Sequence, residues 1–388
     1  MTITANWSYP TNIRFGAGRI SELAEACQSV GMMRPLLVTD PGIAALPMIE
    51  EVLSAAKTNG LEIGLFSNIT ANPSERDVTA GVKVYLEGNY DGVVAFGGGS
   101  GLDAGKAIAF MAHQELPIWD FEDIGDRWTR ANADVIPPIV AVPTTSGTGS
   151  EVGRASVITN SDTHIKKVIF HPKMMPSIVI ADPELTVGLP KMLTAATGMD
   201  ALAHCLEAFC APGYHPMADG IAAEGIRMVH KALPRVVAEP TDIEARGDML
   251  VASSMGATAF QKGLGSIHAL SHPFGGIYGA HHGALNGVIM PYILLANRPA
   301  IEAKVDYLAT VIGVKGFDGF FDWILDLRTE IGIPNTLKDL GIEDPDYDRI
   351  GAIAIEDPTH SGNPIAFSVR EYADLAKRAY LGNLNFNT

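Results

Sequence analysis

The sequence predicts two domains of different class: an α/β N-terminal domain built on a parallel sheet, residues 1–185, and an all-α C-terminal domain, residues 186–388. Two observations carry the prediction. In the first half, short apolar runs alternate with helical patterns, and several runs end in Gly, Pro or Asp, as strands buried on both faces do. From about Pro190 onward the Pro-bounded runs stop, and Ala-, Leu- and Met-rich segments replace them.

Strands are expected at 34–40, 61–66, 92–96, 136–142 and 177–181, the alternation of βαβ units on one sheet. Helices of the second domain are expected at 195–209, 217–233 and 245–261. A chain of 388 residues that is 47% hydrophobic and 19% charged can fill a core in each domain. Lys and Arg number 28 against 44 Asp and Glu, a net charge of -16, which argues against nucleic acid or an anionic membrane as partner. The first residues lack a basic region followed by an apolar core, and no stretch reaches the roughly 20 apolar residues of a membrane span, so a cytoplasmic protein is expected. Cys27, Cys205 and Cys210 are odd in number and form no CxxC, which favours small buried hydrophobes over a disulfide framework.

The apolar run 92–96 leads into Gly97-Gly98-Gly99-Ser100-Gly101-Leu102-Asp103 and then a helical pattern over 104–111. A strand, a glycine turn and a helix N-terminus offer backbone N–H groups and a helix dipole to a pyrophosphate. The string is not a P-loop, because Gly105-Lys106 lacks the earlier glycine and the following Ser or Thr. A second loop, Pro143-Thr144-Thr145-Ser146-Gly147-Thr148-Gly149-Ser150-Glu151, sets five hydroxyls around two glycines where another strand ends. Two such loops favour a dinucleotide and a Rossmann-like first domain. Asp40, at the end of the first strand, suits either a ribose hydroxyl, with a preference for NAD over NADP, or the N-cap of a helix opened by Pro41. This acid precedes the glycine loop, so the topology departs from the usual order.

The second half carries Asp200-Ala-Leu-Ala-His204, then His268 and His272, then His281-His282-Gly283. Residues four apart on a helix stack on one face, so Asp200 and His204 can grip one cation, and His268 and His272 repeat the spacing. Nitrogen and oxygen ligands without a thiolate suit a catalytic divalent ion better than a structural zinc. The spacing does not choose between His281 and His282.

Together these segments resemble the iron-dependent (group III) alcohol dehydrogenase family. The resemblance rests on Gly97 to Lys106, Pro143 to Glu151, Gly198 to His204 and His268 to Gly283, and it spans essentially the whole chain. It implies a dinucleotide-binding α/β domain and a helical metal-binding domain with the site between them. Asp200, His204, His268 and His282 are the implied metal ligands, and His272 stands beside the nicotinamide as catalytic residue. The implied cofactor contacts are Gly97, Gly98, Gly99, Ser100 and Asp103 in the first loop, Thr144, Thr145 and Thr148 in the second, with Lys167 and Asp40. The implied cofactors are NAD and Fe(II), with Zn(II) or another divalent ion open, and many relatives are dimers or larger assemblies.

The implied reaction passes a hydride between a small primary alcohol and the nicotinamide while the metal polarises the substrate oxygen. Motifs around Arg154 and 259–265 look closest to the 4-hydroxybutyrate dehydrogenase branch. Arg154 is then either a clamp for a substrate carboxylate or a structural tie, and His360 is a second substrate candidate. Two other readings share the fold. A hydroxyacid-oxoacid transhydrogenase would keep its nicotinamide bound, and a dehydroquinate synthase-like lyase would need more basic residues for a phosphorylated substrate.

Overall fold

The computed structural model describes residues 11–163 and 165–386. Among these the chain divides into two compact units, 11–145 with 149–187, and 188–386 with the short segment 146–148.

The first unit contains strands β1 (Asn12–Phe15), β2 (Pro35–Val38), β3 (Gly64–Phe66), β4 (Gly92–Gly97), β5 (Ile139–Pro143), β6 (Ala155–Thr159), β7 (Lys166–Phe170) and β8 (Ile178–Ala181). Six of them form a sheet in the order β1-β8-β5-β4-β2-β3, with every neighbouring pair parallel. One row across it reads Leu65, Leu37, Val94, Val140, Ile178, which shows why the central strands are continuous apolar runs: both faces are covered. The covering helices are α1 (Leu23–Ser29), α2 (Pro41–Ala44), α3 (Pro47–Thr58), α4 (Glu75–Glu87) and α5 (Gly99–Met111). The chain runs from β2 outward to β3, then returns to place β4 on the other side of β2. Strand order therefore reverses between β2 and β4, where parallel sheets open a crevice at the carboxyl ends of their strands.

The second unit is helical: α6 (Lys191–Cys210), α7 (Pro216–Ala238), α8 (Ile243–Ala259), α9 (Ser266–Tyr278), α10 (His282–Ile312), α11 (Gly316–Glu330), α12 (Tyr347–Glu356) and α13 (Val369–Leu381). α6 is buried almost all round, from Thr194 to Cys210, and forms the centre of this unit's core. No helix among the described residues is long and apolar enough to cross a membrane. The three cysteines are buried, and burial pushes their thiols up to about 12.

Three features differ from the sequence expectation. β1 is a sixth strand of the sheet; at its edge, Asn-Ile-Arg-Phe needs no two-sided apolar run and so carries no strong pattern. β6 and β7 form a separate antiparallel ribbon whose half-buried residues include Lys166 and Lys167. α5 begins at Gly99 rather than near 104, because its glycines serve close approach to β4 rather than a loop. A Cβ at Gly101 would lie 2.7 Å from the Phe96 carbonyl oxygen, and one at Gly105 would lie 2.6 Å from Ala95 Cβ.

That contact separates two helical glycines by experiment. Gly105→Ala should force α5 off the sheet and destabilise the protein by about 1–3 kcal/mol, read as a lower Tm. Gly220→Ala, on α7 with open space at its Cβ, should stabilise by about 0.4–1 kcal/mol instead.

Candidate functional site

In the α/β unit, the glycine loop sits at the reversal of strand order. Gly97 has φ 139°, a conformation that side chains resist, and Gly98 caps α5 with its Cα facing Thr145 so closely that a Cβ would lie 3.1 Å from Thr145 Cγ2. Thr144 N–H donates to the Gly97 carbonyl at 2.9 Å, which locks the hydroxyl-rich loop to the glycine loop. The first-turn N–H groups of α5, at Gly99, Ser100 and Gly101, are the kind of donors that a helix leaves for an anion. Ser100 Oγ donates to the Ala71 carbonyl.

Asp103 and Lys106 hold this arrangement in place. Ser150 Oγ and Val157 N–H both donate to the Asp103 carboxylate. Burial pushes the Lys106 ammonium below the usual lysine range against the pull of Asp103, 3.4 Å from its Nζ, and Nζ donates to the carbonyls of Ser150 and Ala155. Asp40 caps α2, accepting from Ile43 N–H at 3.0 Å. Lys167 lies on β7 with Nζ 2.9 Å from Glu122 and over the Trp119 ring. The Arg154 guanidinium stands 5.5 Å over the Phe170 ring. Thr148 belongs to the segment 146–148 that groups with the helical unit.

In the helical unit, Asp200 and His204 on α6, His268 on α9 and His282 on α10 converge. The ligand atoms of Asp200, His204 and His268 all lie within 4.8 Å of one another. Nε2 of His204, His268 and His282 stands 3.7, 3.7 and 3.4 Å from Asp200 Oδ1. Tetrahedral ligands on bonds of about 2.1 Å sit about 3.4 Å apart, close to the spacing of each of these Nε2 atoms from Asp200 Oδ1. Asn286 Nδ2 also donates to Asp200 Oδ1 at 2.8 Å, and its Oδ1 is buried with no partner. That amide nitrogen also lies 3.3 Å from Nε2 of His268 and of His282, so polar atoms from three helices meet around Asp200 Oδ1.

Close helix approach makes the convergence possible. Gly279, with φ 67°, ends α9 in a left-handed cap, and three residues later His282 opens α10. A Cβ at the adjoining Gly283 would lie 2.1 Å from the Ala196 carbonyl oxygen, so only glycine lets α10 rest on the α6 backbone. Gly256 of α8 likewise faces His204 Cβ, where a Cβ would come within 2.9 Å.

Electrostatics fix the ring tautomers. His204 Nδ1 faces the Gly147 carbonyl at 3.2 Å, and His268 Nδ1 faces Glu207 Oε2, so both carry hydrogen at Nδ1 and turn Nε2 toward Asp200. Burial pushes the Asp200 carboxyl up, but His204, His282 and His268 outweigh it and hold it well below the usual carboxylate range. Burial lowers His204. Burial would lower His268 too, but Glu207 and Asp200 raise it to about 10, so ion and proton compete for its Nε2.

His272, one turn after His268, stacks on His282 with centroids 5.2 Å apart, and its Nδ1 lies 2.7 Å from Asp357 Oδ2. The His272 and His282 side chains are each 26% exposed while Asp200, His204 and His268 are buried, so the cluster opens on the side of these two rings. His360 Nδ1 bonds the Tyr372 hydroxyl at 2.8 Å, and that hydroxyl bonds Ser266 Oγ at the start of α9.

Glu207, Asn286 and Asp357 were not among the sequence candidates. Glu207 was readable, three residues past His204 on the same face of α6, and Asn286 follows His282 by one turn. Asp357 is 85 residues from His272 and no periodicity connects them.

Glu207 accepts Ile267 N–H at 2.6 Å as well as the His268 ring, so both its oxygens face donors. Glu207→Gln turns its amide N–H against one of them. The variant should bind a divalent ion about 10- to 100-fold more weakly, measured by chelator competition with its circular dichroism unchanged.

The chain matches the model of the iron-containing alcohol dehydrogenases over residues 10–183 and that of the Fe-containing alcohol dehydrogenase family C-terminal region over residues 194–380. It is 39% identical over 381 residues to the 4-hydroxybutyrate dehydrogenase of Cupriavidus necator, covering 96% of this chain and 98% of the relative. The crystal structure of a 1,3-propanediol oxidoreductase matches at TM-score 0.91 and 35% identity, covering 97% of this chain and 99% of that one. A sulfoacetaldehyde reductase from Bifidobacterium kashiwanohense, in complex with NAD+, matches at TM-score 0.89 and 32% identity, covering 99% and 100%. The chain belongs to the iron-containing alcohol dehydrogenase family and is an oxidoreductase.

Proposed function

We propose that this oxidoreductase is an NAD-dependent alcohol dehydrogenase and aldehyde reductase that works with a bound divalent ion, Fe(II) first among the candidates, on short primary alcohols including ω-hydroxy acids such as 4-hydroxybutyrate. The observation that carries the reading is the convergence of Asp200 Oδ1 with three imidazole Nε2 atoms at 3.4–3.7 Å, a donor set without thiolate. Likeness to the Cupriavidus necator 4-hydroxybutyrate dehydrogenase supports the substrate class, and likeness to a reductase crystallised with NAD+ supports the cofactor.

When bound, the ion supplies Lewis acidity toward the substrate oxygen and NAD supplies the hydride acceptor. Asp200, His204, His268 and His282 hold the ion, and Glu207 keeps His268 turned toward it. Gly97, Gly98, Gly99 and Ser100 present backbone donors to the pyrophosphate, with Thr144 and Thr145 fixed beside them. His272 takes the hydroxyl proton on Nε2 during oxidation and returns it during reduction. Arg154 pairs with the carboxylate of a hydroxy acid.

NADH formation tests the reading with Fe(II)-loaded and metal-stripped protein on 1-propanol and on 4-hydroxybutyrate. Metal-dependent turnover is expected on both, and no metal-dependent turnover on either would overturn it. Arg154→Leu should lower kcat/KM for 4-hydroxybutyrate on the order of 10- to 100-fold and leave 1-propanol unaffected. An equal loss on both substrates would return Arg154 to packing against Phe170.

A further inference from the structure

Asp357 does two separate jobs with its two oxygens. It ends α12 and caps the helical turn Pro358–Gly362, where Oδ1 accepts Thr359 N–H at 2.9 Å and the Thr359 hydroxyl at 2.6 Å. Oδ2 faces His272 Nδ1 at 2.7 Å. The carboxylate side chain is only 11% exposed, so solvent offers little competition for either bond.

An ionised carboxylate only accepts, so the His272 nitrogen facing it carries the hydrogen. Nε2 is then the lone-pair nitrogen. The stack on His282, with the ring planes 20° apart, limits rotation of the imidazole about its own axis. The stack constrains the ring plane, and the bond to Oδ2 fixes the tautomer and helps to orient the ring.

We propose that Asp357 is a positioning residue for the reaction, holding His272 as its Nδ1–H tautomer so that Nε2 can accept the hydroxyl proton of the alcohol. The inference rests on the reading of His272 given above. In the oxidation the alcohol O–H bond breaks and an N–H bond forms at Nε2. The carbon loses hydride to NAD, the alcohol becomes the aldehyde and NAD becomes NADH. The proton then passes from His272 to solvent, and Asp357 stabilises the transient imidazolium.

Asp357→Asn isolates this role. The two Thr359 donors hold the amide oxygen at the cap, which leaves the amide N–H facing His272. Nδ1 must then accept, and the hydrogen moves to Nε2, the wrong nitrogen for taking a proton. Loss of the carboxylate behind a catalytic imidazole acts this way in the serine proteases, where it costs about 10⁴ in kcat through the tautomer.

The experiment compares wild type, Asp357→Asn, His272→Gln and the double variant, all loaded with Fe(II), for kcat, KM, metal content and NAD affinity with 1-propanol. Asp357→Asn should lower kcat on the order of 10²–10⁴ with KM, metal content and NAD affinity retained. In the His272→Gln background the same change should cost nothing further. Wild-type kcat in Asp357→Asn alongside a large loss in His272→Gln would overturn the inference and leave the His272 reading standing. Equal losses in both backgrounds would make Asp357 a structural cap only. Unimpaired His272→Gln would remove the His272 reading and the inference with it. If Asp357→Asn does not fold, the pair Asp357→Glu and Asp357→Gln repeats the comparison, and equal kcat in the two would overturn the inference.

Discussion

The buried carboxylate of Asp200 is the constraint around which the helical unit is arranged. An ionised carboxylate inside an apolar core costs several kcal/mol unless it is paired and hydrogen-bonded. Its partners come from three helices: His204 from its own α6, His268 from α9, and His282 with Asn286 from α10. Bringing three helices within reach of one oxygen requires them to pack closer than side chains of ordinary size permit. Gly283 against Ala196 supplies that closeness between α10 and α6, Gly256 lets α8 rest against His204 from behind, and the alanines of α6 continue the close packing along the helix. At the far end of α6, Lys304 Nζ donates to the carbonyls of Phe209, Cys210 and Ala211 at 3.0–3.1 Å, and Lys262 Nζ to Phe209. Cations there complement the helix dipole and pair with the carbonyls of Phe209 and Cys210 where the ligand helix ends.

A second layer gives the cluster its chemistry. Gly147 and Glu207 orient His204 and His268, and Asp357 orients His272. Asp200 and Glu207 together place two negative charges in a buried region, which a divalent ion offsets in full. Without the ion, His268 carries part of that burden as a proton. The α/β unit works by a different principle: Asp103 and Lys106 spend their charges on tying α5 to the loop after β5, so that backbone N–H groups remain for an anion.

Much of this was legible in the sequence because it depends on local spacing. The central strands are apolar runs, and Asp200 with His204 shows helical spacing directly. The choice between His281 and His282 was not legible, because it depends on which residue opens α10, and that is set by the left-handed turn at Gly279. The start of α5 at Gly99 carries no sequence signal, because glycine is a poor helix former in isolation and only packing against β4 shows why the glycines are there. β1 stayed hidden because an edge strand need not be apolar on both faces. Glu207 lies on the same helix face as Asp200 and His204 and is readable from spacing, whereas Asp357 reaches His272 through tertiary structure alone.

The chemistry depends on Asp200 and the imidazoles around it forming a metal site. Anaerobic Fe(II) binding, measured as iron retained per chain after gel filtration in wild type and in Asp200→Ala, tests it without reference to turnover. A metal site there predicts a single tightly held ion in wild type, none in the variant, and NAD binding intact in both. Stoichiometric iron retained by Asp200→Ala would contradict it.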